Sequence, residues 1–295
     1  MTATATGPRH NLRRGVTFAV LTTLVGSTAA AAAKFLGGRV SPYVVVFAQY
    51  LVGMLILLPW LLRKGPRALA TTRASLHFWR SIAGWIGFMA YYGAINHIPL
   101  ADAALLRSAA PIWVPAILFL WLGVRLPLAR WGAIATGLVG VLLILHPDSQ
   151  GISAWHLIGM FAGVGLAVSM ATTRRLVATE SPQVIIFYYF GIAGVATLPF
   201  AIATWKTPSL ADALALVGIG VSIYVTMGLY TAAYTYAKSS VISPLSFLGV
   251  VFAGLFGLLF WGEIPGWLTL AGIALVIAGG IIAVWLESRG TTDEE

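Results

Sequence analysis

Apolar residues dominate the chain in ten long stretches, and the polar interruptions between them are short. Each stretch is close to the roughly 20 residues that an α-helix needs to cross the hydrocarbon core of a bilayer. Their approximate limits are 15–33, 42–62, 78–96, 100–122, 128–146, 154–173, 182–204, 211–235, 240–261 and 266–286. This pattern predicts an all-α integral membrane protein with ten transmembrane helices, because a helix satisfies its own backbone hydrogen bonds within lipid.

A repeated phrase suggests how these spans are organised. The stretch SPYVVVF begins at Ser41 and returns 140 residues later as SPQVIIF at Ser181, and a Leu-Pro pair follows both copies at the same offset. Serine before proline favours a helix start. The serine hydroxyl accepts a hydrogen bond from a free backbone N–H of the first turn, and proline has no backbone N–H that would be left unpaired. The offset predicts two copies of one five-helix unit. Since five crossings reverse the chain's direction, the second copy is expected to insert upside down, as in many secondary transporters.

The predicted organisation therefore has four parts. A cytoplasmic N-terminal tail covers 1–14, a first repeat covers 15–146, a second repeat covers 151–286, and a cytoplasmic C-terminal tail covers 287–295. Spans one and six, three and eight, and four and nine are expected to pair around a central cavity.

Composition agrees with a lipid environment. Hydrophobic residues make up 59% of the chain and charged residues 9%, whereas a soluble domain has about 45–50% and about 25%. The net charge of +9 reflects orientation. With the N-terminus in the cytoplasm, fourteen cations fall in inside segments and three in outside loops, which obeys the positive-inside rule. We expect a bacterial inner-membrane protein with both termini cytoplasmic and no nucleic-acid partner.

The eighteenth cation, Arg107, lies about a third of the way through span four. A charge at that depth is costly and commonly lines a pathway. Two structural alternatives are a side chain that reaches to the outer interface and a salt bridge to Asp102. Pro111 and Pro115 follow on the same span, and each frees a backbone carbonyl, so they indicate either a broken helix lining a cavity or a packing kink.

Aromatic residues recur at helical spacing in spans three and eight. Those near the middle of a span lie away from the interfaces where aromatic belts form, so they indicate a cavity lining, with lipid contact as the alternative. The candidate substrate-binding residues are Arg107, Trp85, Phe88, Tyr92, Ser108, Trp113, Tyr230, Ser243 and Ser246, and the candidate helix breaks are Pro111, Pro115 and Pro244.

Signatures of enzymes and cofactors are missing from the sequence. It has no cysteine, and it shows no phosphate-binding loop, metal-ligand spacing or nucleophile–base pair. We therefore expect no enzyme activity, no cofactor and no metal. No carboxylate lies in the middle of a span, which favours facilitated transport or exchange over obligatory proton antiport.

Two segments resemble a known family. The segment from INHIPLADAALLRSAAPIWVP to LLILHP resembles the fourth and fifth helices of an EamA-type unit, and AKSSVISPLSF to GGIIAV, with its P-L-S-F and W-G-E marks, resembles the matching pair. This is the drug/metabolite transporter superfamily, and the nearest likeness is to bacterial aromatic amino-acid exporters (YddG-like). The first copy departs from the pattern at Gly123-Val124, so only Glu263 keeps the acid of the Gly-Glu pair.

The resemblance implies a secondary transporter that exports small metabolites by alternating access through a cavity between the repeats. Amino acids, aromatic or other neutral, are the expected substrates. The alternative is an exporter or importer of another metabolite or drug, such as a nucleotide sugar, a purine or a toxic cation. The expected partners are a small-molecule substrate and the lipid bilayer, and the expected assembly is a monomer or homodimer.

Overall fold

The computed structural model describes residues 11–110, 153–176, 179–236 and 245–290, together with positions 113, 131–132, 135–137, 139–140 and 143. These residues form nine α-helices and a short 3₁₀ helix, Pro66–Leu69. The α-helices are α1 (Leu12–Phe35), α2 (Pro42–Lys64), α3 (Ala74–Ala94), α4 (Leu100–Ser108), α5 (Ala154–Leu176), α6 (Pro182–Ala203), α7 (Leu210–Tyr236), α8 (Leu248–Trp261) and α9 (Trp267–Gly290). The described part of the chain contains no strand.

The two Ser-Pro phrases both begin helices. Ser41 is the N-cap of α2 and Ser181 the N-cap of α6, each with proline at the first helical position. The Ser41 hydroxyl accepts a hydrogen bond from the backbone N–H of Tyr43 at 3.3 Å, whereas the Ser181 side chain makes no capping bond. The sequence thus predicted both helix starts correctly, whereas the capping hydrogen bond of the serine hydroxyl forms only at Ser41.

Helices of the first half pack mainly on helices of the second half. Helix α1 lies against α7 and α8, α2 against α6 and α7, α3 against α5 and α6, and α4 against α5 and α8. Of the pairs expected around a central cavity, spans four and nine pack directly, as α4 and α8. Span one instead packs on span eight and span three on span six.

Small residues allow these helices to approach closely. A Cβ added to Gly159 would stand 2.8 Å from Leu106 of α4. The α3–α5 contact relies on Gly165 in the same way, because a Cβ there would lie 2.5 Å from the carbonyl oxygen of Ala83. Larger side chains at these positions would force the helices apart.

Five described helices are long and apolar enough to cross a membrane: Leu12–Phe35, Pro42–Lys64, Ala154–Thr173, Pro182–Ala203 and Leu210–Tyr230. Two shorter apolar helices, Leu248–Trp261 and Trp267–Gly279, accompany them. The remainder of predicted span four, most of span five and the start of span nine lie outside the described residues.

Orientation is a prediction of the charge bias, and cysteine labelling tests it conveniently because the chain has no native cysteine. Arg67, predicted inside, and Lys206, predicted outside, are both exposed. A cysteine at Lys206 is expected to react with an impermeant maleimide in intact cells, and one at Arg67 only after permeabilisation. The reverse pattern would show that the topology is inverted.

Candidate functional site

Arg107 lies in the last turn of α4 and is partly exposed. Its guanidinium carbon is 4.2 Å from the centre of the Phe88 ring and 5.1 Å from that of Tyr91, both on α3. The described contacts of this guanidinium are thus with two aromatic rings. A guanidinium held against aromatic faces keeps its N–H edge available for an oxygen ligand.

The predicted aromatic residues of α3 have different neighbours. Phe88 is buried beneath Arg107. Trp85 is half-buried, and its indole N–H has no hydrogen-bond partner in the described chain. Tyr92 is buried and donates its hydroxyl to Gln49 Oε1 on α2 at 3.0 Å. Tyr91, which faces Arg107, was missed, although it follows Phe88 at the three-residue spacing that shares a helix face.

The other candidates are distributed over several elements. Ser108 follows Arg107 and is partly exposed, and Trp113 is half-buried. Tyr230 on α7 is 38% exposed, and Ser246, shortly before α8, is half-buried. Ser243, Pro244, Pro111 and Pro115 lie outside the described residues, so the predicted helix breaks remain predictions.

Arg80 is a second interior cation, although it is one of the fourteen cations that the charge bias predicts on the cytoplasmic side. Helix α3 begins at Ala74, four residues before the predicted span, so Arg80 lies in its second turn and is only 6% exposed. Its Nε donates to Thr173 Oγ1 on α5 at 2.8 Å. Its guanidinium carbon lies 4.4 Å from the ring centre of Tyr189 on α6.

A polar cluster accompanies Arg80 at the same end of the helices. His77 is fully buried and packs against Tyr188, with ring centres 4.4 Å apart and the rings tilted by 32°. Its Nε2 lies 3.9 Å from Glu180 Oε1. Glu180 also accepts a hydrogen bond from the Thr71 hydroxyl at 2.5 Å. The cluster ties the start of α3 to the start of α6.

The opposite end of the helices carries an ion pair between Lys34 of α1 and Glu263, which follows α8. Gly262 ends α8 with a positive φ of 66°, the conformation that glycine adopts without strain, and this turn brings Glu263 back toward α4. Glu263 Oε2 accepts the backbone N–H of Leu100 at 2.8 Å, and Lys34 Nζ donates to the carbonyl of Ile98 at 3.2 Å. The W-G-E mark therefore links three segments of the chain.

A depression of about 900 Å³ opens beside this ion pair. Its lining includes Lys34, Asn96, His97, Trp205 and Trp261. In the described residues, no group of three or more acidic or histidine side chains stands close enough to hold a metal ion.

Comparison with known proteins gives consistent results. The model of a family described as the EamA-like transporter family matches residues 13–146 and again 153–285. The pseudopaline exporter CntI of Pseudomonas aeruginosa (strain UCBPP-PA14) is 29% identical over 92% of this chain and 95% of its own length. An S-adenosylmethionine uptake transporter of Rickettsia bellii is 22% identical over 93% of this chain and 94% of its own length. A riboflavin transporter of Vibrio cholerae is 26% identical over 82% of both chains.

A solved crystal structure also resembles this chain. It covers 93% of this chain and 98% of its own length, with a TM-score of 0.62 and 18% identity. That likeness shows a shared fold.

Proposed function

The chain belongs to the EamA-like transporter family, and from this premise we propose that it exports small carboxylate-bearing metabolites, with amino acids, aromatic or other neutral, as its substrates. Export proceeds by alternating access through a cavity between two inverted five-helix repeats. Family membership makes the chain a multi-pass membrane transporter. The substrate, the direction and the repeat symmetry are the proposal.

The helix contacts support the inverted repeat. If an axis exchanges each span with the one five positions later, the most extensive contacts between the two halves occur in matching pairs. The α1–α7 contact corresponds to α3–α5, the α2–α7 contact to α3–α6, and the α1–α8 contact to α4–α5. Helices α2 and α6, and α4 and α8, contact their own partners and would lie on the axis. The same axis explains why span one packs mainly on span eight, and span three on span six, and neither on its own counterpart in the other half.

Arg107 carries the substrate assignment. A charged side chain at this depth is retained at a cost, and its guanidinium contacts aromatic rings with no carboxylate in ion-pair range among the described residues. A guanidinium can bind a carboxylate through two parallel hydrogen bonds. Phe88 and Tyr91 hold it in place, and Trp85 offers apolar surface and an N–H on the same helix.

Export is favoured over uptake by the relative that is 29% identical to this chain, whose name specifies export. Two other relatives are named for S-adenosylmethionine uptake and riboflavin transport, so another metabolite on the same fold is the alternative. A toxic cation is disfavoured because Arg80 and Arg107 place like charge in the interior.

Flux in proteoliposomes tests the proposal. We expect saturable flux of at least one of phenylalanine, tryptophan, threonine or alanine, and flux at least about tenfold lower for its amide, which lacks the carboxylate that Arg107 would bind. Adenine, riboflavin and S-adenosylmethionine serve as competing substrates, and protein-free liposomes as the control. A pH gradient alone is expected to drive no uphill export. Saturable flux of riboflavin or S-adenosylmethionine without amino-acid flux would overturn the substrate assignment.

A further inference from the structure

Arg80 combines deep burial with unused hydrogen-bonding capacity. It is 6% exposed, and its Nη1 is buried without a hydrogen-bond partner in the described chain. A guanidinium carries five N–H donors, of which Nε is bonded to Thr173. Buried charges are ordinarily paired with an opposite charge, yet no carboxylate lies in ion-pair range of Arg80 among the described residues.

The nearby carboxylate is engaged elsewhere. Glu180 accepts the Thr71 hydroxyl and lies 3.9 Å from His77. Arg80 therefore faces the Tyr189 ring and the Thr173 hydroxyl, which stabilise a cation without neutralising it. An anion that arrives from outside the protein would supply the missing charge.

A series of contacts between aromatic side chains connects Arg80 with Arg107. Arg107 lies over Phe88, and Phe88 meets Tyr50 of α2 edge-on, with ring centres 6.4 Å apart. The Tyr50 and Tyr189 hydroxyls are 3.2 Å apart, and the Tyr189 ring lies beneath Arg80. Each interior arginine thus rests on an aromatic ring at opposite ends of one contiguous group.

The two arginines lie at different depths. Arg80 precedes Phe88 by eight residues on α3, which is about 12 Å along the helix axis. It is closer to the helix end that the charge bias predicts to be cytoplasmic. Tyr50 and Tyr189, which are 1% and 2% exposed, are the middle links in the contacts between the arginines.

We propose that Arg80 is a second binding position for the substrate carboxylate, on the cytoplasmic side of the Tyr50–Tyr189 contact. The carboxylate binds Arg80 first and passes to Arg107 when α2 and α6 separate these two tyrosines. This inference rests on the proposed export of carboxylates, but its test does not require the substrate to be known.

The test uses the reactivity of a cysteine placed beside Arg80. In the cysteine-free chain, Thr173→Cys is reacted from the cytoplasmic side with an anionic sulfonate and a cationic ammonium methanethiosulfonate reagent. Opposite charges a few ångströms apart attract strongly in a partly buried site. The ratio of the anionic to the cationic reaction rate is therefore expected to be about tenfold higher in Thr173→Cys than in Thr173→Cys/Arg80→Gln. Arg67→Gln, which removes an exposed cation, is the matched control and should leave the ratio unchanged.

The outcomes separate the two proposals. Equal ratios with and without Arg80, or no reaction of Thr173→Cys from the cytoplasmic side, would overturn the Arg80 position. Arg80→Lys keeps the charge and is expected to keep the reagent preference, which guards against a variant that fails to fold. Once amino-acid flux is established, Arg80→Lys should raise the half-saturating concentration from the cytoplasmic side several-fold. Normal reagent preference with no amino-acid flux would refute the transport proposal alone.

Discussion

Replacing Arg107 with alanine is expected to reduce amino-acid flux by roughly 10- to 100-fold. Hydrogen bonds to a charged group contribute about 1.5–3 kcal/mol, and each 1.4 kcal/mol corresponds to about tenfold in affinity. Arg107→Lys is expected to restore only part of the flux, because lysine keeps the charge and loses the planar pair of donors. Initial rates in proteoliposomes with matched protein content measure the effect.

The variant should remain folded. Loss of the contacts with Phe88 and Tyr91 removes a cation–π interaction of about 0.5–2 kcal/mol, which a thermal melt in detergent can monitor. Arg63→Ala is the matched control, since Arg63 is an exposed cation in the last turn of α2. Wild-type flux in Arg107→Ala at equal expression would show that the arginine serves packing and does not bind substrate.

Features set by neighbouring residues were predictable from the sequence. The Ser-Pro phrases marked the starts of α2 and α6 because capping depends on the residue itself and the next turn. The depth of Arg107 in an apolar span also marked it as an interior charge. Tyr91 was within reach of the same reasoning, since it shares the Phe88 face.

Features set by distant residues were not predictable. Arg80 stands at the edge of an apolar window and reads as a flanking cation, and its burial depends on Thr173, 93 residues away. The ion pair of Lys34 is a second case, because its partner Glu263 lies 229 residues away. Such pairings depend on how the two halves of the chain pack together, and no local sequence pattern marks them.

The Lys34–Glu263 ion pair is expected to stabilise the fold. Its side chains are 10% and 19% exposed, so removing one charge leaves the other poorly solvated. Removing one partner of a fully buried pair costs about 3–5 kcal/mol, and partial exposure lowers this, so we expect about 2 kcal/mol for Lys34→Met. That corresponds to a melting temperature lower by roughly 4–8 °C, measured in detergent.

A double-mutant cycle separates the pair from its surroundings. Glu263→Gln keeps an oxygen that can accept the Leu100 N–H, so it isolates the lost charge. The double variant Lys34→Met/Glu263→Gln leaves no unpaired charge and is expected to melt closer to wild type than Lys34→Met does. Asp212→Asn is the control, because Asp212 pairs with Arg39, whose side chain is 62% exposed, and exposed pairs contribute about 0–1 kcal/mol. Additive losses in the double variant would show that Lys34 and Glu263 act independently and that the W-G-E turn, not the ion pair, holds α4 in place.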